Sequence, residues 1–268
     1  MAAPSESGVV LSKSIRTIRS MTVRYLGILS VLMVSLLLSG FAIAQAPQAP
    51  TPLYTGNLGG GFAVTGGNTD TSNFNLTAGI VRDPKTKHVT KGTASYLRGD
   101  QNSLLNLDRT AVNIRHEYTI SGRTFAFGQL DYLRDRFKEI TFLWVPAGGV
   151  GYKLVNTDST QFILDGGVGG LIEKNPGRTS SKSGSIIAGQ RFQHKLSSAS
   201  TLTESLSGIW KTKDFADSLT NFSAGLTTTM VSNLQLKVEF IDSYKNKPAN
   251  PKLKKNDTAF VTAFIVKF

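Results

Sequence analysis

The sequence has 268 residues and no cysteine. That removes disulfides, cysteine zinc sites and thiol catalysis together. Its three histidines, His88, His116 and His194, are scattered and show no H-x-x-x-H or H-E-x-x-H spacing, so no metal site is expected. Acid is in deficit: 18 Asp and Glu stand against 30 Lys and Arg, for a net charge of +12. Phosphate-bearing partners suit that balance. Beyond residue 44 there is no long apolar run, and the mean hydropathy of −0.08 is too polar for a bundle of membrane helices. From Thr55 onward no long segment carries helical periodicity.

What is present begins with an address. Residues 25–38, "YLGILSVLMVSLLL", are uncharged and mostly Leu, Val and Ile. Lys13, Arg16, Arg19 and Arg24 precede them, and Ala42 and Ala44 follow in small-residue spacing. A basic n-region, a short apolar core and an A-x-A site describe a secretory signal, with cleavage expected after Ala44. An uncleaved signal anchor is the alternative. Met21 opens a compact signal of ordinary length. Cleavage leaves the basic excess in place and makes nucleic acid an improbable partner. "QAPQAPTP" (45–52) then opens an extended Pro/Ala linker, residues 45–54.

Period 2 dominates the rest. "FNLTAGIV" alternates Phe74, Leu76, Ala78 and Ile80 with Asn75, Thr77 and Gly79. "NLQLKVEF" sets Leu234, Leu236, Val238 and Phe240 against Gln235, Lys237 and Glu239. The pattern predicts about twelve strands between residues 55 and 268. Connections after even strands are short, as in "ISGR" and "VSN". Those after odd strands, "GDQNSLLN", "EKNPGRTSSKS" and "KNKPANPKLKK", are longer on balance. The expected fold is all-β: an antiparallel up-and-down barrel of the bacterial outer membrane, short turns in the periplasm and long loops outside. A bilayer gives backbone groups no partner, so a spanning sheet must close on itself. Closure would pair the last strand with the first and set Phe268 at the periplasmic interface. A soluble sandwich, or a barrel with a dry core, uses the same alternation. Glu204 is the misfit, sharing a face with Leu202, Leu206 and Trp210.

The polar faces supply the candidate lumen: Arg109, Asn113, Arg115, Glu117, Gln129, Asp131, Lys237 and Glu239. Paired charges that fill the space are one reading, and a lining that selects ions or small solutes is the other. Lys245, Lys247, Lys252, Lys254 and Lys255 crowd the last loop. They form either a solvated segment or a contact for glycolipid phosphates. "GGVG" (148–151) and "GGVGG" (166–170) lack the following helix that a phosphate loop needs. Close strand approach in a curved wall suits them better. "KHVT" puts His88 and Thr90 on one face without an orienting partner, so a lipid-active enzyme is disfavoured. No catalytic residue and no cofactor are assigned.

Three stretches, "GGNTDTSNFNLTAG" (66–79), "FAFGQLDYLRDRF" (125–137) with "GGVGYKL" (148–154), and "LKVEFIDSYKNKP" (236–248), resemble the salt-induced outer-membrane proteins, the YdiY-like family. The resemblance spans nearly the whole mature chain. It implies an outer-membrane barrel linked to salt or osmotic conditions and supplies no reaction or ligand. The final Phe also resembles the signature that the barrel-assembly machinery reads. The combined expectation is a small passive channel, with a structural envelope barrel as the alternative.

Overall fold

The computed structural model describes residues 52–66, 71–101, 104–136 and 138–268. The expected signal and most of the linker lie outside these residues. Twelve strands follow one another: β1 (Tyr54–Gly66), β2 (Thr71–Arg82), β3 (His88–Gln101), β4 (Leu104–Thr119), β5 (Thr124–Asp135), β6 (Ile140–Asn156), β7 (Thr160–Lys174), β8 (Ser181–Lys195), β9 (Ser200–Lys211), β10 (Asp214–Val231), β11 (Leu234–Lys245) and β12 (Asn256–Lys267). Each pairs antiparallel with its sequence neighbours, and β1 pairs with β12. The sheet is a closed barrel.

The sequence reading places all twelve strands and shortens several at the rim away from the chain ends. There β3 and β4 extend to Gln101 and from Leu104, through the stretch expected to be a loop. A hydrogen-bonded hairpin satisfies those backbone groups better than an exposed loop does. We call this end the loop rim and the other, where β1 starts and β12 stops, the turn rim. Turn-rim connections are compact. Lys85, at φ 58°, is held where its backbone N–H donates to Asp83 Oδ1 at 2.9 Å. At the next turn Ile120 N–H donates to the Thr124 carbonyl at 2.9 Å.

Closure is completed beyond β12. Phe268 N–H donates to the Gly56 carbonyl at 3.0 Å, and Gly56 N–H donates back to the Phe268 carbonyl at 2.8 Å. The Phe268 ring lies over Gly56, where a Cβ would overlap it, and is 75% exposed on the outer face. Glycine is required there for close approach.

The two faces sort by polarity. Leu58, Phe74, Leu76, Ile80, Ile114, Leu130, Val150, Val168, Phe260 and Phe264 are all exposed on the outer face. Phe222, Phe240 and Phe260 stack across β10, β11 and β12 at centroid separations of 6.4 and 5.9 Å. Inside, the buried groups include Arg115, Glu117, Glu173, Lys245 and Asn75. A soluble dry-core barrel requires the reverse arrangement. The interior is not uniformly polar, however. Phe125, Phe127, Leu133, Leu143, Val145, Ile187 and Leu219 form an inner apolar cluster on one side. That departs from the expected charge-rich lumen.

Candidate functional site

All eight candidate lumen residues lie on the inner face. Arg115 is the hub. Its Nε donates to Glu117 Oε1 at 2.9 Å, its Nη1 to Gln129 Oε1 at 2.6 Å and its Nη2 to Asp165 Oδ2 at 3.1 Å. Arg191 Nη2 donates to the same Asp165 oxygen at 2.8 Å, and Lys91 Nζ to Glu117 Oε2 at 2.7 Å. The network therefore joins β3, β4, β5, β7 and β8 in the half of the barrel near the turn rim. Beside it Asn113 Nδ2 and Gln129 Nε2 both donate to Asp131, at 2.6 and 2.7 Å. Lys237 pairs with Glu239 at 2.8 Å on the opposite wall. Arg109 reaches Asp135 at 3.9 Å.

The glycines support the hub. The guanidinium carbon of Arg115 sits 3.6 Å from the centroid of Phe127, a close cation–π stack. The two Phe rings lie on the glycine faces of β6. A Cβ at Gly151 would overlap the Phe125 ring, and one at Gly149 would come within 2.8 Å of Phe127 Cζ and overlap the Gly166 carbonyl oxygen. "GGVG" is thus the floor on which the rings, and through them Arg115, are laid.

A second ionic group lies inside the loop rim, built from residues most of which the sequence reading missed. Glu173, Lys211, Asp217 and Lys245 form one inner cluster. Lys211 is 2.6 Å from Glu173 and also pairs with Asp217, and Lys245 is 2.7 Å from Asp217 and 3.5 Å from Glu173. Lys245 is 6% exposed. It closes β11 inside the barrel and does not join a phosphate-contacting loop. Strand alternation decides this, because odd residues of β11 face inward. Lys247 meets Asp214 at 2.5 Å and Lys255 Nζ donates to Asn246 at 3.1 Å. Lys252 and Lys254 are exposed on the loop.

Lys138 crosses the mouth. From the β5–β6 connection its Nζ donates to the Ser243 carbonyl at 2.9 Å and to Ser243 Oγ at 3.2 Å. It also lies 3.3 Å from Asp257. Those partners belong to β11 and β12, on the far side of the barrel order. Burial holds its ammonium below the usual lysine range, and Asp257 pulls the other way. Next to it Glu139 has φ 55°, a left-handed conformation that non-glycine residues adopt only when held. Asn175 Nδ2 donates to its carbonyl at 2.7 Å and Asn250 Nδ2 to its Oε1 at 3.3 Å. No sequence motif marks Lys138. Its partner Ser243 is 105 residues away.

A cavity of about 930 Å³ is lined on one side by Arg115, Asp165 and Arg191 and does not reach the Glu173–Lys245 cluster. It extends from Lys267 and Thr227 near the turn rim to Arg109, Leu219 and Asn221 beneath the loop rim. Thr77, Thr93, Ser95, Thr201, Thr203, Ser205 and Ser207 give it hydroxyls.

On the outer face β3 and β4 bring two histidines together: His88 Nδ1 is 3.2 Å from His116 Nε2, and His116 Nδ1 is 3.0 Å from Thr90 Oγ1. Among the described residues no group of His, Cys, Asp and Glu is arranged to hold a metal.

An apolar outer wall around buried ion pairs is the arrangement of a membrane barrel. A family model described as "Protein of unknown function, DUF481" matches residues 59–268. The chain belongs to the DUF481 family. Among solved structures, the NanC porin matches 79% of this DUF481 chain and 100% of the porin, at 9% identity and a TM-score of 0.55. The COG4313 outer membrane channel from Pseudomonas putida F1 matches 85% of this chain and 100% of the channel, at 8% identity and a TM-score of 0.52. At these identities the likeness shows the fold alone, a closed antiparallel barrel of the kind seen in outer-membrane porins. No curated protein sequence matches the DUF481 chain significantly.

Proposed function

We propose that the protein is an outer-membrane channel for ions or small polar solutes, passive and narrow, with its resting closure at the loop rim. The observation that supports this best is the hydroxyl-lined cavity of about 930 Å³, stopped by side chains rather than by a plug domain among the described residues. The two longest connections, β7–β8 and β11–β12, lie at the loop rim, which supports an outer position for that rim and a periplasmic one for the turn rim. The lumen candidates then act as lining: Arg115 and Arg191 narrow one wall, while Lys237 and Glu239 face the cavity. Outer-membrane lipid is the surrounding partner, and the barrel-assembly machinery is the proposed reader of Phe268. The resemblance to salt-induced proteins supports use under osmotic stress. Growth of a deletion strain across a sodium chloride series checks that separately, and unchanged growth at every salt concentration removes it.

The channel is tested by planar-bilayer conductance of the purified barrel over a salt series, with reversal potentials in a gradient. Discrete steps are expected, rare in the wild type and frequent in Lys138→Ala. A folded barrel that stays silent in both forms ends the channel reading. It leaves a structural envelope barrel, which the paired charges at both rims favour.

A further inference from the structure

The inner and outer faces of β6 to β9 differ in charge at the loop rim. The acids at this level point inward and are engaged: Glu173 with Lys211, and Asp217 with Lys211 and Lys245. The residue after Glu173, Lys174, points outward. So does Lys182, at the start of β8. Lys174 is level with Phe142, and Lys182 with Ile172, which is level in turn with Trp144. Lys213 adjoins them: its N–H donates to Ser183 Oγ at 3.4 Å, and the neighbouring Thr212 N–H donates to the Gly184 carbonyl at 2.9 Å. Lys182 and Lys213 are exposed. The nearby Asp214 is taken by Lys247 at 2.5 Å. Arg134 flanks the patch and is bound to Asp108 at 3.0 Å, with 41% of its side chain still exposed. Level with Lys182 runs an aromatic and aliphatic row of Ile172, Trp144 and Tyr132, the last two with ring centroids 4.6 Å apart.

Lys174 and Lys182 on the outer face, with Lys213 in the turn beside them, border an aromatic and aliphatic row whose flanking acids, Asp108 and Asp214, are already paired. This matches a phosphorylated lipid, with acyl chains on the row and phosphates on the ammonium groups. The structure assigns Lys174, Lys182 and Lys213 as a docking surface for the phosphates of a glycolipid headgroup in the leaflet at the loop rim. The lysine-rich loop 246–255 is not that surface. Lys247 is paired with Asp214, and the outward Asp242 stands between the loop and the aromatic row of Phe222, Phe240 and Phe260 on the strands below it. The assignment rests on the outer-membrane placement proposed above and is independent of conduction.

The test uses the barrel purified from membranes of expressing cells and inserted into phosphatidylcholine nanodiscs. These are doped with a bisphosphorylated glucosamine-based glycolipid or its dephosphorylated counterpart. Insertion, read by heat-modifiable migration, tests the membrane placement. Lipid retained after mild detergent extraction, read by native mass spectrometry, tests the docking surface. Retention of the phosphorylated lipid is expected to fall at least about tenfold in Lys174→Gln/Lys182→Gln/Lys213→Gln. It is expected to persist in the corresponding Lys→Arg variant and in Lys252→Gln/Lys254→Gln/Lys255→Gln. Should the triple Gln variant fail to insert, Lys182→Gln alone carries the comparison. Equal retention of the dephosphorylated lipid overturns the assignment. Retention that survives loss of the wall lysines, or that disappears with the loop lysines, overturns it as well.

Discussion

Arg115 shows how single residues set the interior. Its side chain is almost fully buried, touches Glu117, Gln129 and Asp165, and rests on Phe127. Removing a buried partner leaves charge uncompensated, at a cost of about 3–5 kcal/mol. The glycines beneath Phe125 and Phe127 matter for a different reason, because any side chain there displaces a ring that positions Arg115. Gly149→Ala should therefore destabilise the barrel by about 1–3 kcal/mol. Gly122→Ala, in a turn where an added Cβ meets nothing within 4 Å, should stay within about 0.5 kcal/mol. Urea unfolding from lipid vesicles compares the two. An equal response would show that the glycine floor has slack.

Among the elements, β9 and β12 break the simple pattern. Glu204 lies on the outer face of β9, level with Phe192 and Ala224. Gln190 Nε2 donates to it at 3.0 Å. The register stands, and the pair is a polar island on the lipid-facing wall. Replacing both with Leu should stabilise the barrel by about 1–2 kcal/mol, because lipid solvates neither group. Gln190→Leu alone should do the opposite, since it strips the carboxylate of its donor. A urea midpoint that moves the same way in both variants would contradict this account. On β12 the Phe268 backbone closes the ring of strands while its side chain is mostly exposed. Phe268→Ala keeps both backbone bonds, so refolding into vesicles should change by less than about 1 kcal/mol. Assembly in cells should nevertheless fall if the machinery reads the aromatic. A comparable loss in both settings would assign the ring to closure alone.

Taken whole, the barrel is asymmetric. One rim is tied by compact turns, and at the other Lys138 reaches across to Ser243 and Asp257. In the proposed channel, closure at the loop rim depends on Lys138 being charged, because a neutral amine gives up its ion pair with Asp257. Burial lowers its pKa in the folded barrel, so the charged form is penalised there. That penalty applies at pH values below the lowered pKa. It is relieved as pH rises from there toward the ordinary lysine value, so folding stability should climb through this window. Over the same window the ion pair across the mouth is lost and channel openings should become more frequent. In Lys138→Ala the openings should be frequent throughout and the alkaline rise absent. Conductance traces from neutral to alkaline pH read both effects, and an unchanged alkaline rise in the variant would place the titrating group elsewhere.

Period 2 by itself determined the strand count, the facing of Arg115 or Lys237, and the pairing of β12 with β1, because alternation and hydrogen-bond closure are local rules applied along a chain. It also determined that Glu204 would be anomalous. Only the tertiary structure decided what each inward charge meets. Arg115 finds Asp165 fifty positions away, and Lys138 finds Ser243 on the far wall, through distances that only curvature of the closed sheet brings within hydrogen-bond reach. The same closure removed Lys245 from its loop and laid Phe127 on glycines that the sequence marks only as a place of close strand approach. Partners across a lumen depend on barrel radius and shear, which no window of the sequence contains.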